Sequence, residues 1–76
     1  MFSYNVYPEV NEKKFYDACK KIENELVNIV KEDILEDVDS SLIQIYKTPA
    51  GEIKVFNDYE VDAVYIDSQV EIKSFS

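Results

Sequence analysis

The sequence predicts an α+β fold, with one amphipathic helix packed on an antiparallel four- to five-stranded sheet in the order β-α-β-β-β-β. Three observations support this fold class. Apolar residues repeat with helical spacing in residues 10–30, short segments with strand-like alternation lie on both sides of them, and Pro49-Ala50-Gly51 marks a hairpin turn. A chain of 76 residues is close to the smallest that forms a core without metals or disulfides, so one domain over residues 1–76 is expected.

The helix is predicted over residues 10–30. Its apolar stripe consists of Phe15, Cys19, Ile22, Leu26 and Ile29, at steps of four and three. Asn11 suits the N-cap, because its side-chain oxygen can accept a hydrogen bond from a free N–H group of the first turn. No Gly or Pro follows the stripe, so the sequence leaves open whether the helix continues through Leu35.

Five strands are predicted, at residues 2–7, 41–48, 52–57, 61–66 and 70–75. Pro49 suits the first central position of a type I turn, and Gly51 suits the left-handed position that follows. The sequence therefore predicts a tight hairpin with a G1-type bulge at Gly51. The N-terminal strand is expected to join the sheet.

Alternation within the strands predicts which side chains face the helix. The predicted inner set is Ile43, Ile45, Ile53, Val55 and Ile72. The predicted outer set is Leu42, Gln44, Tyr46, Glu52, Lys54, Phe56, Glu71, Lys73 and Phe75, a mixture of aromatic and charged residues that is typical of interaction surfaces. Residues 61–66 are almost all apolar, so the alternation does not decide which of their faces is buried.

Several kinds of catalytic and metal site are excluded by composition. The chain has no His and one Gly, so a histidine-based nucleophilic site and a phosphate-binding glycine loop are both absent. Residues 37–41 begin like an EF-hand loop, but Leu42 and Thr48 stand where that loop needs Gly and Glu. Two possibilities stay open from the sequence: acid–base catalysis by a pair of carboxylates, for which a domain of this size offers little pocket volume, and a looser divalent-ion site among Glu32, Asp33, Glu36, Asp37 and Asp39. The expectation preferred over both is that the protein has no enzyme activity, cofactor or metal. Cys19 is the only cysteine and is expected to be a core residue.

No apolar run approaches the roughly 20 residues of a membrane span, and the first residues lack the features of a signal peptide. A cytoplasmic protein without membrane contact is expected. All eight basic residues are Lys, which together with abundant Ile, Asn, Glu and Tyr indicates an AT-rich genome, such as that of a low-GC bacterium or its phages.

The net charge of -8 is unevenly distributed along the chain. Residues 1–31 hold five acids and five lysines, hence zero net charge, whereas residues 32–76 hold eleven acids and three lysines, hence all of the -8. Two blocks concentrate this excess: Glu32, Asp33, Glu36, Asp37 and Asp39, and then Asp58, Glu60, Asp62, Asp67 and Glu71. Like charges at this density repel one another, which suggests that something other than stability retains them.

These blocks predict a binding surface for a basic partner. In an extended strand, Asp58, Glu60 and Asp62 would form a row with a spacing of about 6.6 Å, which resembles a phosphate backbone. The hypothesis is a small acidic non-enzymatic inhibitor that mimics DNA and binds a nucleic-acid-binding protein or nuclease, encoded by a phage or mobile element against a host defence. It would not bind nucleic acid itself. The predicted partner-binding residues are Glu32, Asp33, Glu36, Asp37, Asp39, Asp58, Tyr59, Glu60, Asp62, Tyr65 and Asp67, with Tyr46 as a further apolar anchor.

Two alternatives remain open from the sequence. An immunity protein or antitoxin would also be small and acidic, but would cover the active site of a toxin without imitating DNA. A homodimeric structural or regulatory domain would associate through Tyr46, Phe56 and Phe75.

Overall fold

The computed structural model describes all 76 residues as one helix on a six-stranded sheet. Its elements are β1 (Phe2–Tyr7), α1 (Glu12–Glu25), β2 (Val30–Lys31), β3 (Leu35–Glu36), β4 (Leu42–Thr48), β5 (Gly51–Asp58), β6 (Ala63–Ser68) and a 3₁₀ helix at Lys73–Phe75. The antiparallel strands lie in the order β1-β6-β5-β4-β2, and β3 also pairs with β4. The predicted α+β fold class, with its helix on one face of an antiparallel sheet, is confirmed.

The helix begins as predicted and ends earlier. The side chain of Asn11 accepts a hydrogen bond from the N–H of Lys14, as expected of an N-cap. The helix ends at Glu25, because Leu26 is already extended and Asn28 takes a left-handed conformation with a φ of 59°. Asparagine is among the few residues that tolerate this conformation, so it can reverse the chain without glycine. The predicted extension to residue 30 is therefore wrong.

The chain after the helix forms the outer edge of the sheet beside β4. Val30 pairs with Lys47 and Leu35 pairs with Ile43. Between these two pairs the edge segment runs over five residue steps, whereas β4 runs over only four. One extra residue is therefore accommodated between β2 and β3, in the manner of a β-bulge. The possibility that the helix continues through Leu35 is excluded.

The β4–β5 hairpin has the predicted turn and a different register. Thr48 pairs with Gly51, and the pairing reaches Leu42 with Asn57 without a shift, so the predicted bulge is absent. Without the extra residue of the predicted bulge, the pairing of β4 with β5 is shifted by one residue from the predicted register. Every β4 side chain therefore lies on the face opposite to the predicted one. The inner residues of β4 are thus Leu42, Gln44 and Tyr46, and the predicted inward placement of Ile43 and Ile45 is wrong.

The core consists of the helix stripe and the inner faces of β4, β5 and β6. Its buried apolar residues are Phe15, Ala18, Cys19, Ile22, Leu42, Tyr46, Ile53, Val55, Val64, Ile66 and Ile72. Val64 and Ile66 are the buried positions of the segment whose orientation the sequence left open. Ile53, Val55 and Ile72 are buried as predicted.

The last predicted strand does not form. The Ser68 hydroxyl donates to the carbonyl of Val70 and accepts from its N–H, which turns the chain away from the sheet. Both carboxylate oxygens of Glu25 then accept backbone N–H groups, from Lys73 and Ser74, at 2.7 Å each. Residues 70–75 therefore pass beside the helix, where Phe75 lies half-buried, so the predicted outer-face position of Phe75 is also wrong.

Candidate functional site at the acidic end of the sheet

Parts of the two acidic blocks meet at one end of the sheet. The β3–β4 connection and the β5–β6 connection lie side by side there, because Leu42 at the start of β4 pairs with Asn57 near the end of β5. A hydrogen bond of 2.9 Å from the N–H of Tyr59 to the Ser41 hydroxyl joins the two connections. We call the carboxylates that they carry the acidic end: Glu36, Asp37, Asp39, Asp58, Glu60 and Asp62.

Two aspartates hold the β3–β4 connection in a tight turn. The N–H of Asp37 donates to the carbonyl of Ser41, and the N–H of Ser40 donates back to the carbonyl of Asp37. The side chain of Asp39 accepts from the N–H of Ser41 at 2.9 Å, and that of Asp37 accepts from the N–H of Val38 at 2.7 Å. The hydrogen bonds from the backbone N–H and the hydroxyl of Ser41 lower the pKa of Asp39.

The β5–β6 connection is a turn as well, with two structural carboxylates. Asp58 accepts from the N–H of Glu60 at 2.9 Å and from the hydroxyl of Tyr65 at 2.7 Å. Asp62 has a positive φ of 56° and accepts from the N–H of Val10, which ties the turn to the start of the helix. Because residues 59–62 are not extended, the predicted row of carboxylates at strand spacing is wrong.

No carboxylate of the acidic end forms an ion pair. The three salt bridges of the protein join Lys13 to Asp17, Lys31 to Glu23, and Lys47 to Glu52. Glu36 and Glu60 are exposed and their carboxylates form no hydrogen bond within the protein. The fold therefore makes no direct contact with either of these two charges.

Exposed apolar side chains accompany these charges. Val38 is fully exposed at the tip of the first turn, and Val61 and Tyr59 on the second turn are 61% and 45% exposed. Apolar side chains surrounded by unpaired charges are typical of binding surfaces. Tyr59 was among the residues predicted from the sequence, and both valines were not. The only sequence signal for the valines is that each is an apolar residue inside an acidic block.

The remaining predicted site residues lie elsewhere. Glu32 and Asp33 are exposed between β2 and β3, along the outer edge of the sheet. Asp67 lies in β6 between Lys54 of β5 and Ser3 of β1, and accepts a hydrogen bond from the Ser3 hydroxyl at 3.1 Å. The structure thus brings six of the ten block acids together and separates Glu32, Asp33, Asp67 and Glu71 from them.

The two other tyrosines named from the sequence are not free. Tyr65 stacks on Phe56 with ring centroids 4.7 Å apart, and burial together with its hydrogen bond to Asp58 raises its pKa to about 12. Tyr46 is fully buried, and its hydroxyl donates to the Glu23 carboxylate at 2.5 Å. The predicted role of Tyr46 as a surface anchor is wrong.

The acidic end lies outside the surface depressions of the protein. None of its six carboxylates lines any of the surface depressions of the protein. No group of three or more acidic or cysteine side chains is arranged to hold a metal ion. Without a depression, the acidic end offers no enclosed site for a small ligand.

The fold and this surface define a small α+β protein with an exposed acidic end. Comparison with protein-family models, curated proteins and solved structures finds no match to the chain. The single α-helix is too short and too polar to cross a membrane.

Proposed function

We propose that the protein is a small non-enzymatic inhibitor whose acidic end inserts into the basic, nucleic-acid-binding groove of a partner protein or nuclease. The observation that carries this proposal is the convergence of two acidic turns into one surface without any ion pair. Asp37, Asp39, Asp58 and Asp62 accept hydrogen bonds that hold their turns, whereas the carboxylates of Glu36 and Glu60 have no partner within the protein. Repulsion from these two charges opposes folding, so binding to a basic partner would explain why they are present.

The chemistry of such a partner follows from the surface. Lysine and arginine side chains that normally face phosphates would face carboxylates, while Val38, Tyr59 and Val61 would contact the apolar parts of the groove. Mimicry here depends on charge density on two protruding turns, and not on a regular row of carboxylates. The lysine-only composition supports a phage or mobile-element origin, with a host defence enzyme as the target.

The test compares two glutamates that differ only in position. Glu60 at the acidic end and Glu71 outside it are both exposed, and neither carboxylate is hydrogen-bonded. Immobilised wild-type protein, Glu60→Gln and Glu71→Gln would each capture partners from a bacterial lysate. The captured protein, once purified, would be titrated with all three at low and high salt. We expect Glu60→Gln to weaken binding about five-fold, which corresponds to about 1 kcal/mol, and Glu71→Gln to leave it unchanged.

Double-stranded DNA should also compete for the captured partner, and high salt should weaken the complex steeply. A complex indifferent to both DNA and salt would overturn the inhibitor proposal. Equal effects of the two glutamine variants would show that net charge, and not the acidic end, governs binding.

An immunity protein or antitoxin is the second candidate, favoured by the exposed apolar tips at Val38 and Val61. Such a protein would bind a toxin with the same surface, and its complex would resist competition by DNA. The sequence-based homodimer surface is not supported, because Tyr46 is buried while Phe56 and Phe75 lie on opposite sides of the sheet.

A further inference from the structure

The outer edge of β1 is unpaired along its whole length. β1 is the terminal strand of the sheet order, and its only strand neighbour is β6. Its six residues, FSYNVY, contain no charged side chain. Proteins normally protect such an edge with lysine, proline, bulges or a covering segment, because free N–H and C=O groups attract another strand.

The direction of the free backbone groups follows from the register. The N–H of Gln69 donates to the carbonyl of Glu52, which fixes the odd-numbered residues of β6 as those bonded to β5. The even-numbered residues Ile66 and Ser68 then bond to Tyr4 and Phe2 of β1, since bonding direction alternates along a strand. The N–H and C=O groups of Ser3 and Asn5 therefore point outward from the sheet.

Aromatic side chains lie beside this edge. The ring of Phe2 is 39% exposed and stacks on Tyr4 with centroids 6.4 Å apart, and the half-buried Phe75 packs against Tyr4 at 6.1 Å. Half-exposed aromatic clusters are enriched where proteins associate.

The charge distribution decides what can approach this edge. Residues 1–31, which include β1 and α1, have five acids and five lysines and no net charge, whereas the rest of the chain carries all of the -8. A strongly basic partner is attracted to the acidic end instead. A second copy of this chain meets no charged side chain within β1 itself, and the longer-range repulsion between two copies of net charge -8 is screened by salt.

We propose that two copies pair through β1 in antiparallel orientation and form one continuous sheet. With Tyr4 opposite Tyr4 on the two-fold axis, Ser3 of each copy lies opposite Asn5 of the other, so the outward groups of both residues are satisfied. The Phe2, Tyr4 and Phe75 clusters of the two copies become neighbours on the helix side. Because the strands run in opposite directions, the two acidic ends lie at opposite ends of the dimer and remain accessible.

Hydrogen exchange of the wild-type protein tests the pairing residue by residue. At high micromolar concentration, we expect slow exchange for the amides of Ser3 and Asn5, and faster exchange at each on dilution. The amide of Tyr4 bonds to β6 and should be protected at both concentrations, so it serves as the internal control. Concentration-independent, rapid exchange at Ser3 and Asn5 would overturn the proposal.

Sedimentation equilibrium of two matched variants tests the interface. Asn5→Lys places a charge at the centre of the edge, and Asn24→Lys makes the same change on the exposed face of the helix. We expect the wild type and Asn24→Lys to dimerise and Asn5→Lys to raise the dimer Kd at least about ten-fold. A monomeric wild type, or equal dimerisation of both variants, would overturn it. Capture of a basic partner by the acidic end is measured separately and does not depend on this result.

Discussion

The two edges of the sheet differ in how readily another strand can pair with them. The β2–β3 edge consists of two strands of two residues each, separated by an irregular segment with Glu32 and Asp33. Short strands, a register slip and exposed charges all discourage strand addition. The β1 edge has six residues and no charge, and its one register shift comes only after Asn5.

The edges also differ in how they are attached to the core. The β2–β3 edge exposes apolar side chains, with Val30 63% and Leu35 53% exposed, and is held mainly through polar contacts. The buried Gln44 side chain donates to the carbonyl of Glu32 at 2.5 Å, and Lys31 bridges to Glu23 at 3.1 Å. β1 is attached by aromatic packing, because Tyr4 contacts Phe75 and its hydroxyl accepts the N–H of Ile72. Because the β2–β3 edge is charged and packs little apolar surface on the core, binding of a partner there would not weaken the core.

The largest expected effect contrasts these attachments directly. Tyr4→Ala removes a partly buried ring and a hydrogen-bond acceptor, so we expect a loss of about 2 to 3 kcal/mol in the free energy of unfolding. Leu35→Ala, on the other edge, should cost less than about 0.5 kcal/mol, since its side chain is largely exposed. Urea unfolding of both variants measures the difference. Equal losses would show that the β2–β3 edge is packed as firmly as β1.

A second prediction concerns the polar attachment of the β2–β3 edge. The Tyr46 hydroxyl bonds to Glu23, which in turn bridges to Lys31 of β2. Tyr46→Phe should lower the free energy of unfolding by about 1.5 to 3 kcal/mol at neutral pH, the range for a hydrogen bond to a charged group. Tyr59→Phe is the control, because its exposed hydroxyl forms no hydrogen bond within the protein.

The same contact gives a pH dependence of known sign. The hydrogen bond from Tyr46 lowers the pKa of Glu23 below its usual value of 4.5. A carboxyl group whose pKa is lower in the folded state stabilises it above the unfolded pKa, and this contribution is lost as pH falls through the folded pKa. Thermal melts should therefore lose stability below about pH 4.5, and less steeply in Tyr46→Phe. If the stability of the wild type and of Tyr46→Phe falls equally steeply with decreasing pH, this assignment is contradicted.

Local signals in the sequence were sufficient for the fold class and the start of the helix. Asn11 caps the helix through its own side chain, and Pro49 with Gly51 directs the hairpin turn. The face of β4 depended on tertiary structure instead. Ile43 and Ile45 form a better apolar alternation than a set that contains Gln44, but Gln44 finds a backbone partner only once the edge segment lies beside it.

The acidic end was predictable in composition and not in shape. The sequence identified both acidic blocks, yet only the pairing of β4 with β5 decides that residues 36–39 meet residues 58–62. The turns themselves depend on hydrogen bonds from Asp37, Asp39 and Asp58 to nearby backbone groups. These aspartates therefore have a structural role that their charge pattern did not reveal, whereas Glu36 and Glu60 have none.

The smallest expected effect separates charge from structure at the acidic end. Glu60→Lys reverses a charge between Asp58 and Asp62 without breaking a hydrogen bond, so we expect a gain of a few tenths of a kcal/mol at low salt that disappears at high salt. Thermal melts of Glu60→Lys and Glu71→Lys in both salt conditions measure this gain. If Glu60→Lys alone is stabilising, the wild-type glutamate is retained at a cost to the fold, as a binding surface requires. A destabilised Glu60→Lys would instead show that the acidic end belongs to the folding of its own turns.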